Sequence, residues 1–260
     1  MTSVTQWLLL LNIGAHLLLG ASPALRYDLA FVPALVFVRP WTLLTYMFVH
    51  ASLMHLLMNM LGLFFFGPRL EARLGGRAFL GLYVVSGLGG ALLSVFTAML
   101  GLFPPAAPIV GASGAVFGVL LAFAMFWPHE PIYLWAVVPV PARLLVIILA
   151  VFSLYAARVG VANDIAHYAH LGGFVGGYVF LRLRAGRERR RVLGAAKPSV
   201  VERYAAELRI DTSRWEAIRR ETLHEINRAE VDRILAKIRE SGAASLTPDE
   251  RAFMDRMAAQ

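Results

Sequence analysis

Six long apolar segments occupy most of the first 185 residues of this 260-residue chain. A helix that crosses a bilayer needs about 20 predominantly apolar residues, and fewer where its neighbours thin the bilayer or bury its ends. We therefore predict an all-α membrane protein, with a bundle of six transmembrane helices followed by a short soluble helical tail. The predicted spans are residues 5–20, 46–67, 77–101, 112–127, 140–158 and 165–183.

Charged side chains divide the sequence into two parts. Hydrophobic residues make up 58% of the chain, yet 16 of its 25 basic and 13 of its 17 acidic residues follow residue 185. This pattern predicts a membrane domain over residues 1–185 and a cytoplasmic, charged helical tail over residues 186–260. The first apolar segment has no Lys or Arg before it, so we expect a retained membrane helix rather than a signal peptide.

Composition also argues against several classes of function. The net charge is +8, but the tail alone carries only +3 (16 − 13) with interspersed signs, so we predict no nucleic-acid partner. The chain has no cysteine, which excludes disulfides, thiolate catalysis and cysteine-based metal sites. No carboxylate accompanies the histidines at a recognised ligand spacing, so we predict neither a metal nor another cofactor.

The arginines orient the predicted helices, because Lys and Arg accumulate in cytoplasmic loops. Most arginines of the membrane domain follow the second, fourth and sixth spans, so both termini are predicted to be cytoplasmic. These three spans then begin at one depth near the outer surface. The cytoplasmic arginines are Arg69, Arg73, Arg77, Arg143 and those within 182–191, against Arg26, Arg39 and Arg158 in the opposite loops.

Polar side chains cluster at the starts of the same three spans. Such groups are costly in a membrane and by default indicate function. His55 and Asn59 lie four residues apart, which places both on one helical face. The full set is His50, His55 and Asn59 in the second span, Ser113 in the fourth, and His167 and His170 in the sixth.

Ser113 and a histidine of the sixth span form a candidate nucleophile and base. A serine hydroxyl becomes a strong nucleophile only when a base accepts its proton. Ser113 is predicted in the first turn of its helix, where unpaired backbone N–H groups suit an oxyanion. His55 and Asn59 would add side-chain donors, which predicts an acyl-transfer site. Pairs of small residues should let the fourth and sixth spans pack closely: Gly114 with Gly118, and Gly173 with Gly177.

Three short motifs in this order resemble the rhomboid family of intramembrane serine proteases: "HLLMN" from His55, "GASG" from Gly111 and "AHLGG" from Ala169. The resemblance covers about residues 1–185 and implies a rhomboid-like six-helix fold. It implies a catalytic dyad of Ser113 and His170, with His55 and Asn59 stabilising the oxyanion. The implied substrates are single-span membrane proteins in the lipid bilayer, cleaved near the outer leaflet.

The resemblance extends to two further positions and fails at one. Phe117 matches an aromatic position whose ring packs against the catalytic histidine, and His50 matches a recurrent histidine that we interpret as structural. The Trp-Arg pair common in the first loop of the family reads Trp41-Thr42 here, so threonine stands at the position of that arginine. His167 is the competing candidate base, but it lacks the glycine three residues further on.

Two other functions stay open for the membrane domain. One is a catalytically inactive relative that binds or chaperones membrane proteins, although both Ser113 and His170 are present. The other is a transporter, which would be expected to show internal repeats that this sequence lacks.

The tail resembles a helical module that follows some bacterial rhomboid domains, which favours a multi-pass protein of a bacterial cytoplasmic membrane. Its sequence "TPDE" from Thr247 is a capping box, and an apolar stripe marks the helix before it. The tail is either a solubilising appendage or a helix pair that docks an unknown cytoplasmic partner. The stripe comprises Ile226, Val231, Ile234, Leu235 and Ile238.

Overall fold

The computed structural model describes residues 2–102, 104–134, 137–159, 164–195 and 212–259. The chain forms two compact units, Met1–Arg189 and Arg190–Gln260.

In its described residues, the first unit consists of helices and one small hairpin. Its elements are α1 Ser3–Gly20, α2 Pro23–Leu29, α3 Thr42–Thr45, α4 Leu53–Leu74, α5 Gly76–Met99, α6 Ser113–Phe126, β1 Pro131–Leu134, β2 Val138–Pro141, α7 Ala142–Val159 and α8 Asp164–Ala195, of which the last continues into the second unit. Short 3-10 turns at Pro33–Leu35 and Tyr46–Phe48 lie in the long connection between α1 and α4.

Within the described residues, four helices are long and apolar enough to cross a membrane: α1, α4, α5 and α7. The apolar helix α6 is shorter, with 14 residues, and α8 has 32 residues. The prediction of an all-α membrane bundle is confirmed, whereas the count of six spans stays a prediction.

Two predicted helix starts were wrong, and two helices run past their predicted ends, α4 to Leu74 rather than residue 67 and α8 to Ala195 rather than residue 183. The second helix begins at Leu53 rather than at residue 46, because Tyr46–Phe48 forms a 3-10 turn and the chain then extends at Val49. Ser52 caps the helix, since its side chain accepts a hydrogen bond from the backbone N–H of His55. His50 therefore precedes the helix on which it was predicted. The segment before α7 also forms an antiparallel hairpin, in which Ile132 pairs with Val140, although residue 140 was expected to be helical.

Glu71 joins the start of α1 to the end of α4. Its carboxylate accepts hydrogen bonds from the backbone N–H groups of Val4 and Thr5 at 2.9 and 2.8 Å, and from Thr5 Oγ1 at 2.9 Å. A carboxylate at a helix N-terminus satisfies orphan donors and opposes the positive end of the helix dipole. This buried carboxylate thus fixes α1 against the bundle.

Glycines bring α5, α6 and α8 into backbone contact. A Cβ at Gly173 of α8 would overlap the carbonyl oxygen of Gly114 on α6, and one at Gly177 would lie 2.9 Å from Gly118 Cα. The predicted close packing of these two helices is confirmed. Helix α5 packs on α8 in the same way, because a Cβ at Gly89 would lie 2.5 Å from the carbonyl oxygen of Gly172.

The second unit has its own apolar core, built around Trp215, Val231, Ile234 and Met254. Over residues 212–259 its α-helices are α9 Ser213–Glu216, α10 Glu225–Ser241 and α11 Pro248–Ala258, with 3-10 turns at Arg220–Thr222 and Ala243–Ser245. The predicted capping box is confirmed, since Thr247 and Glu250 exchange hydrogen bonds at the start of α11. The predicted stripe was wrong at one position, because Ile226 is 73% exposed.

Candidate active site

Ser113 and His170 are in hydrogen-bond contact across two helices. Ser113 is the first residue of α6, and His170 lies in the first part of α8, facing it. The distance from His170 Nε2 to Ser113 Oγ is 2.8 Å, which is within the range that proton transfer needs. Both side chains are half-buried. The close glycine contact between the two helices makes this approach possible.

The turn before Ser113 depends on a glycine. Gly111 has φ +115°, a conformation that side chains disfavour, and a Cβ there would lie 2.5 Å from His55 Nε2. Its backbone N–H donates to the carbonyl oxygen of Tyr46 at 2.9 Å. The turn is therefore tied on one side to the segment before α4 and packed on the other against the His55 ring.

His55 and Asn59 stand on the face of α4 that meets this turn. Asn59 is buried, with 4% of its surface exposed, and its side-chain Nδ2 donates to the carbonyl oxygen of His55 at 2.8 Å. His55 is half-buried, with its Nε2 beside Gly111. The first turn of α6 carries no side-chain cap. His55 Nε2 thus lies beside the turn that leads into Ser113, and Asn59 lies one helical turn further along α4.

Phe117 lies one helical turn after Ser113 and stacks on His170. The ring centroids are 4.0 Å apart and the planes differ by 12°. Phe117 in turn contacts Phe174 at 5.1 Å between centroids. Where side chains are described, no hydrogen bond joins His170 to a carboxylate. The orientation of the His170 ring is therefore set by its stacking on Phe117.

The other two histidines of the predicted set, His50 and His167, pack against other rings, whereas His170 is the histidine that contacts Ser113. The buried ring of His50 lies 5.2 Å from that of His55 and 6.4 Å from that of His16. The His167 ring lies edge-on to His170 at 6.0 Å and to Phe152 at 5.7 Å. Across the described residues, no group of His, Asp or Glu side chains is arranged to hold a metal ion.

Sequence reasoning missed Tyr46. Its carbonyl oxygen holds Gly111, and its buried hydroxyl donates to the carbonyl oxygen of Gly87 at 2.7 Å. A Cβ at Gly114 would lie 3.4 Å from the same hydroxyl. Tyr46 therefore links α5 to the start of α6. The only signal in the sequence was a tyrosine hydroxyl within an otherwise apolar stretch.

The fold and the site together define a helical membrane protein with a serine hydroxyl hydrogen-bonded to an imidazole. Residues 38–187 of this chain match the family model of the Rhomboid domain. The chain belongs to the Rhomboid family.

Three curated relatives illustrate the similarity. RHOMBOID-like protein 1 of Arabidopsis thaliana is 36% identical over 171 residues, covering 63% of this chain and 41% of the relative. Rhomboid protein 1, mitochondrial, of Saccharomyces cerevisiae is 37% identical over 153 residues, covering 57% of this chain and 44% of the relative. RHOMBOID-like protein 12, mitochondrial, of Arabidopsis thaliana is 35% identical over 164 residues, covering 58% of this chain and 48% of the relative. The chain thus spans less than half the length of these relatives.

Proposed function

We propose that the protein is an intramembrane serine endopeptidase that uses Ser113 as nucleophile and His170 as general base and acid. The observation that carries the proposal is the 2.8 Å contact between Ser113 Oγ and His170 Nε2. Membership of the Rhomboid family, the uncapped first turn of α6 and the position of His55 beside Gly111 support it.

The proposed reaction is an acyl transfer in two steps. With His170 neutral and protonated at Nδ1, the Ser113 hydroxyl donates to Nε2 and passes its proton there as Oγ attacks the substrate carbonyl carbon. The tetrahedral intermediate collapses, the C–N bond breaks, and Nε2–H protonates the leaving amine. Water then gives a proton to Nε2 and attacks the acyl-enzyme, which releases the acid and restores the Ser113 hydroxyl.

The developing oxyanion would be stabilised by preorganised donors. Backbone N–H groups in the first turn of α6 lack intrahelical partners. Asn59 Nδ2 and His55 Nε2 would add side-chain hydrogen bonds from α4, close to the Gly111 turn. Such donors act most strongly where water is scarce, as inside a membrane bundle.

The proposed substrates are single-span membrane proteins. A peptide bond in a regular helix is shielded, because its backbone groups are hydrogen-bonded to neighbouring turns. Substrates should therefore carry helix-weakening residues such as Gly or Pro near the cleaved bond. Since Ser113, His170 and His55 all lie near the starts of α6, α8 and α4, cleavage is proposed near one membrane surface.

We propose that this surface is the outer one, with both termini cytoplasmic, in a bacterial cytoplasmic membrane. The arginines support this orientation, since Arg69, Arg73 and Arg77 flank the junction of α4 and α5 at the opposite end. Cysteines introduced singly at residues 22 and 72, both in regular backbone, test it. The first should react with an impermeant reagent in intact cells and the second should not.

The proposed domain division places a soluble helical module after the membrane bundle. We propose that this module, over residues 186–260, docks a cytoplasmic partner. Deleting residues 212–260 should leave cleavage of a generic substrate intact while abolishing any association through the module.

Purified protein in proteoliposomes with a generic single-span substrate provides the test of the protease assignment. Wild type should cleave, while Ser113→Ala and His170→Ala should not. His167→Ala is the matched control, because it removes a nearby histidine of the same helix that does not contact Ser113. Cleavage by Ser113→Ala, or tight substrate binding by wild type without cleavage across several substrates, would refute the proposal and favour an inactive binding protein.

A further inference from the structure

A groove opens at the end of the first unit that lies away from Ser113. It is bounded by the last turns of α4 and α6 and by the middle of α8, and has a volume of about 540 Å³. Ser113 and Phe126 mark the two ends of α6, so the groove lies about 20 Å from the serine at 1.5 Å per residue. We call it the basic groove, and its relevant lining residues are Arg73, Phe126, Leu181, Arg182, Arg184 and Glu188.

The charges of the basic groove are unbalanced. Three guanidinium groups line it with a single carboxylate, that of Glu188, which pairs with Arg184 at 2.8 Å. Arg182 donates to the Tyr178 hydroxyl at 2.8 Å, which does not neutralise its charge. The side chain of Arg73 has neither a hydrogen bond nor an ion pair with any other described residue.

The contrast with the preceding turn of α4 is informative. Arg69 also lies on this face, but it pairs with Glu130 at 2.7 Å. Both guanidinium groups lie over aromatic rings, Arg69 at 4.6 Å from Trp127 and Arg73, one turn later, at 4.4 Å from Phe126, but Arg73 has no carboxylate partner among the described residues. A cation on an aromatic face keeps its hydrogen-bond donors available. The groove therefore presents positive charge that the described protein residues leave uncompensated.

The wall beneath these cations is apolar. Leu181 is 7% exposed, and Phe126 is half-buried against the bundle. A guanidinium rim above an apolar wall matches a molecule that has an anionic head and a hydrocarbon body. A free inorganic anion would leave the wall in contact with water, whereas an acyl chain would cover it.

We propose that the basic groove binds the headgroup of an anionic phospholipid, with the phosphodiester at Arg73 and Arg182 and an acyl chain against Phe126 and Leu181. Basic pockets between helices at the membrane surface have the chemistry to bind such headgroups. The arginine fork matches phosphate oxygens in a bidentate manner, which favours arginine over lysine here. This lipid site is separate from the serine and does not depend on proteolysis.

Native mass spectrometry of the full chain in detergent tests the proposal. The protein is titrated with phosphatidylglycerol, with phosphatidylcholine of identical acyl chains, and with inorganic phosphate. Wild type should retain one phosphatidylglycerol about tenfold more tightly than phosphatidylcholine. The double variant Arg73→Gln with Arg182→Gln should bind both lipids equally.

Two variants control for charge and folding. Arg77→Gln removes one positive charge at the same end of the bundle but outside the groove, and should keep the wild-type preference. Arg73→Lys keeps the positive charge but loses the bidentate geometry of the guanidinium. Its preference for phosphatidylglycerol over phosphatidylcholine should therefore be intermediate, and this result can be measured even if the double variant unfolds. Equal retention of the two lipids by wild type, an unchanged preference in the Arg73 variants, or displacement of phosphatidylglycerol by equimolar inorganic phosphate would each overturn the proposal.

Discussion

Phe117 lies flat against the imidazole of His170, with ring centroids 4.0 Å apart and planes only 12° from parallel. The two residues come from different helices, so the stack also joins α6 to α8 beside Ser113. Among the described side chains, no carboxylate hydrogen-bonds to His170, so the orientation of its imidazole ring depends on other contacts. The stacked phenyl ring can provide this orientation, because it leaves His170 Nε2 directed at the serine hydroxyl.

Replacing Phe117 should therefore lower turnover more than substrate binding. Phe117→Leu removes the stack, and an aromatic pair of this kind contributes about 1 kcal/mol of interaction free energy. The substitution should lower kcat up to about tenfold with little change in KM. Phe117→Tyr keeps a flat ring and should retain most of the rate. Phe174→Leu is a control, since it removes a neighbouring ring at 5.1 Å from Phe117. An equal loss in the Leu and Tyr variants would contradict an orienting role.

Asn59 should contribute to the transition state rather than to substrate binding. Removing one oxyanion donor costs about a hundredfold to a thousandfold in kcat. Asn59→Ala should therefore lower kcat by that order without raising KM, measured on a single-span substrate in proteoliposomes. The buried Asn12 of α1 offers a control, because Asn12→Ala also removes a buried amide but lies outside the site. A similar loss of kcat in both variants would indicate a general packing effect.

The sequence alone predicted the parts of this structure that follow from periodicity and motif. Apolar runs indicated the long helices, and the end of the proline-marked loop before Ser113 placed this residue in the first turn of α6. The start of α4 was wrong because the apolar sequence before Leu53 gives no sign of a 3-10 turn, and only the Ser52 cap marks the boundary. The hairpin at Ile132 and Val140 was missed because its few residues read as a proline-marked loop.

Some site contacts are tertiary and leave no trace in local sequence. Gly111 needs its glycine because the His55 ring occupies the space of a side chain, and that neighbour comes from another helix. Tyr46 reaches Gly87 and Gly111 across long separations. Contacts of this kind depend on how the helices pack, which apolar periodicity does not specify.

Gly173 should be intolerant of even one added carbon. Its Cβ would overlap the Gly114 carbonyl, so Gly173→Ala must separate α6 from α8 or distort them. Overpacking of this kind costs about 1–3 kcal/mol, and the thermal unfolding temperature in detergent should fall accordingly. Gly14→Ala is the matched control, because nothing lies within 4 Å of its Cβ position, and it should be neutral or slightly stabilising. A Gly173→Ala protein as stable as wild type would refute backbone contact at this position.

The second unit should lose stability in acid through Glu250. Its pKa is lowered to about 2 from an ordinary value near 4.5, chiefly by the hydrogen bond from Lys237, with further bonds from the Thr247 backbone and Arg233. Because the folded pKa is the lower one, this contribution is complete above about pH 4.5 and is lost as the pH falls towards 2. Hydrogen exchange of α10 and α11 in the full chain, corrected for intrinsic rates, should accelerate between pH 5 and pH 3. Glu250→Gln should show a smaller change over that interval, and an identical profile would remove Glu250 as the cause.

Glu71 should stabilise the bundle through the first turn of α1. Glu71→Gln replaces a carboxylate that accepts from Val4, Thr5 and the Thr5 hydroxyl with a neutral amide. Hydrogen bonds to a charged group contribute about 1.5–3 kcal/mol each when buried, so losing the charge should lower the unfolding temperature clearly. Hydrogen exchange at residues 4–8 should accelerate first, because that turn is released locally. Glu130→Gln is the matched control, since the described contact of the Glu130 carboxylate is an exposed ion pair with Arg69, worth about 0–1 kcal/mol. If both substitutions shift unfolding equally and α1 exchanges at the wild-type rate, Glu71 does not cap this helix in solution.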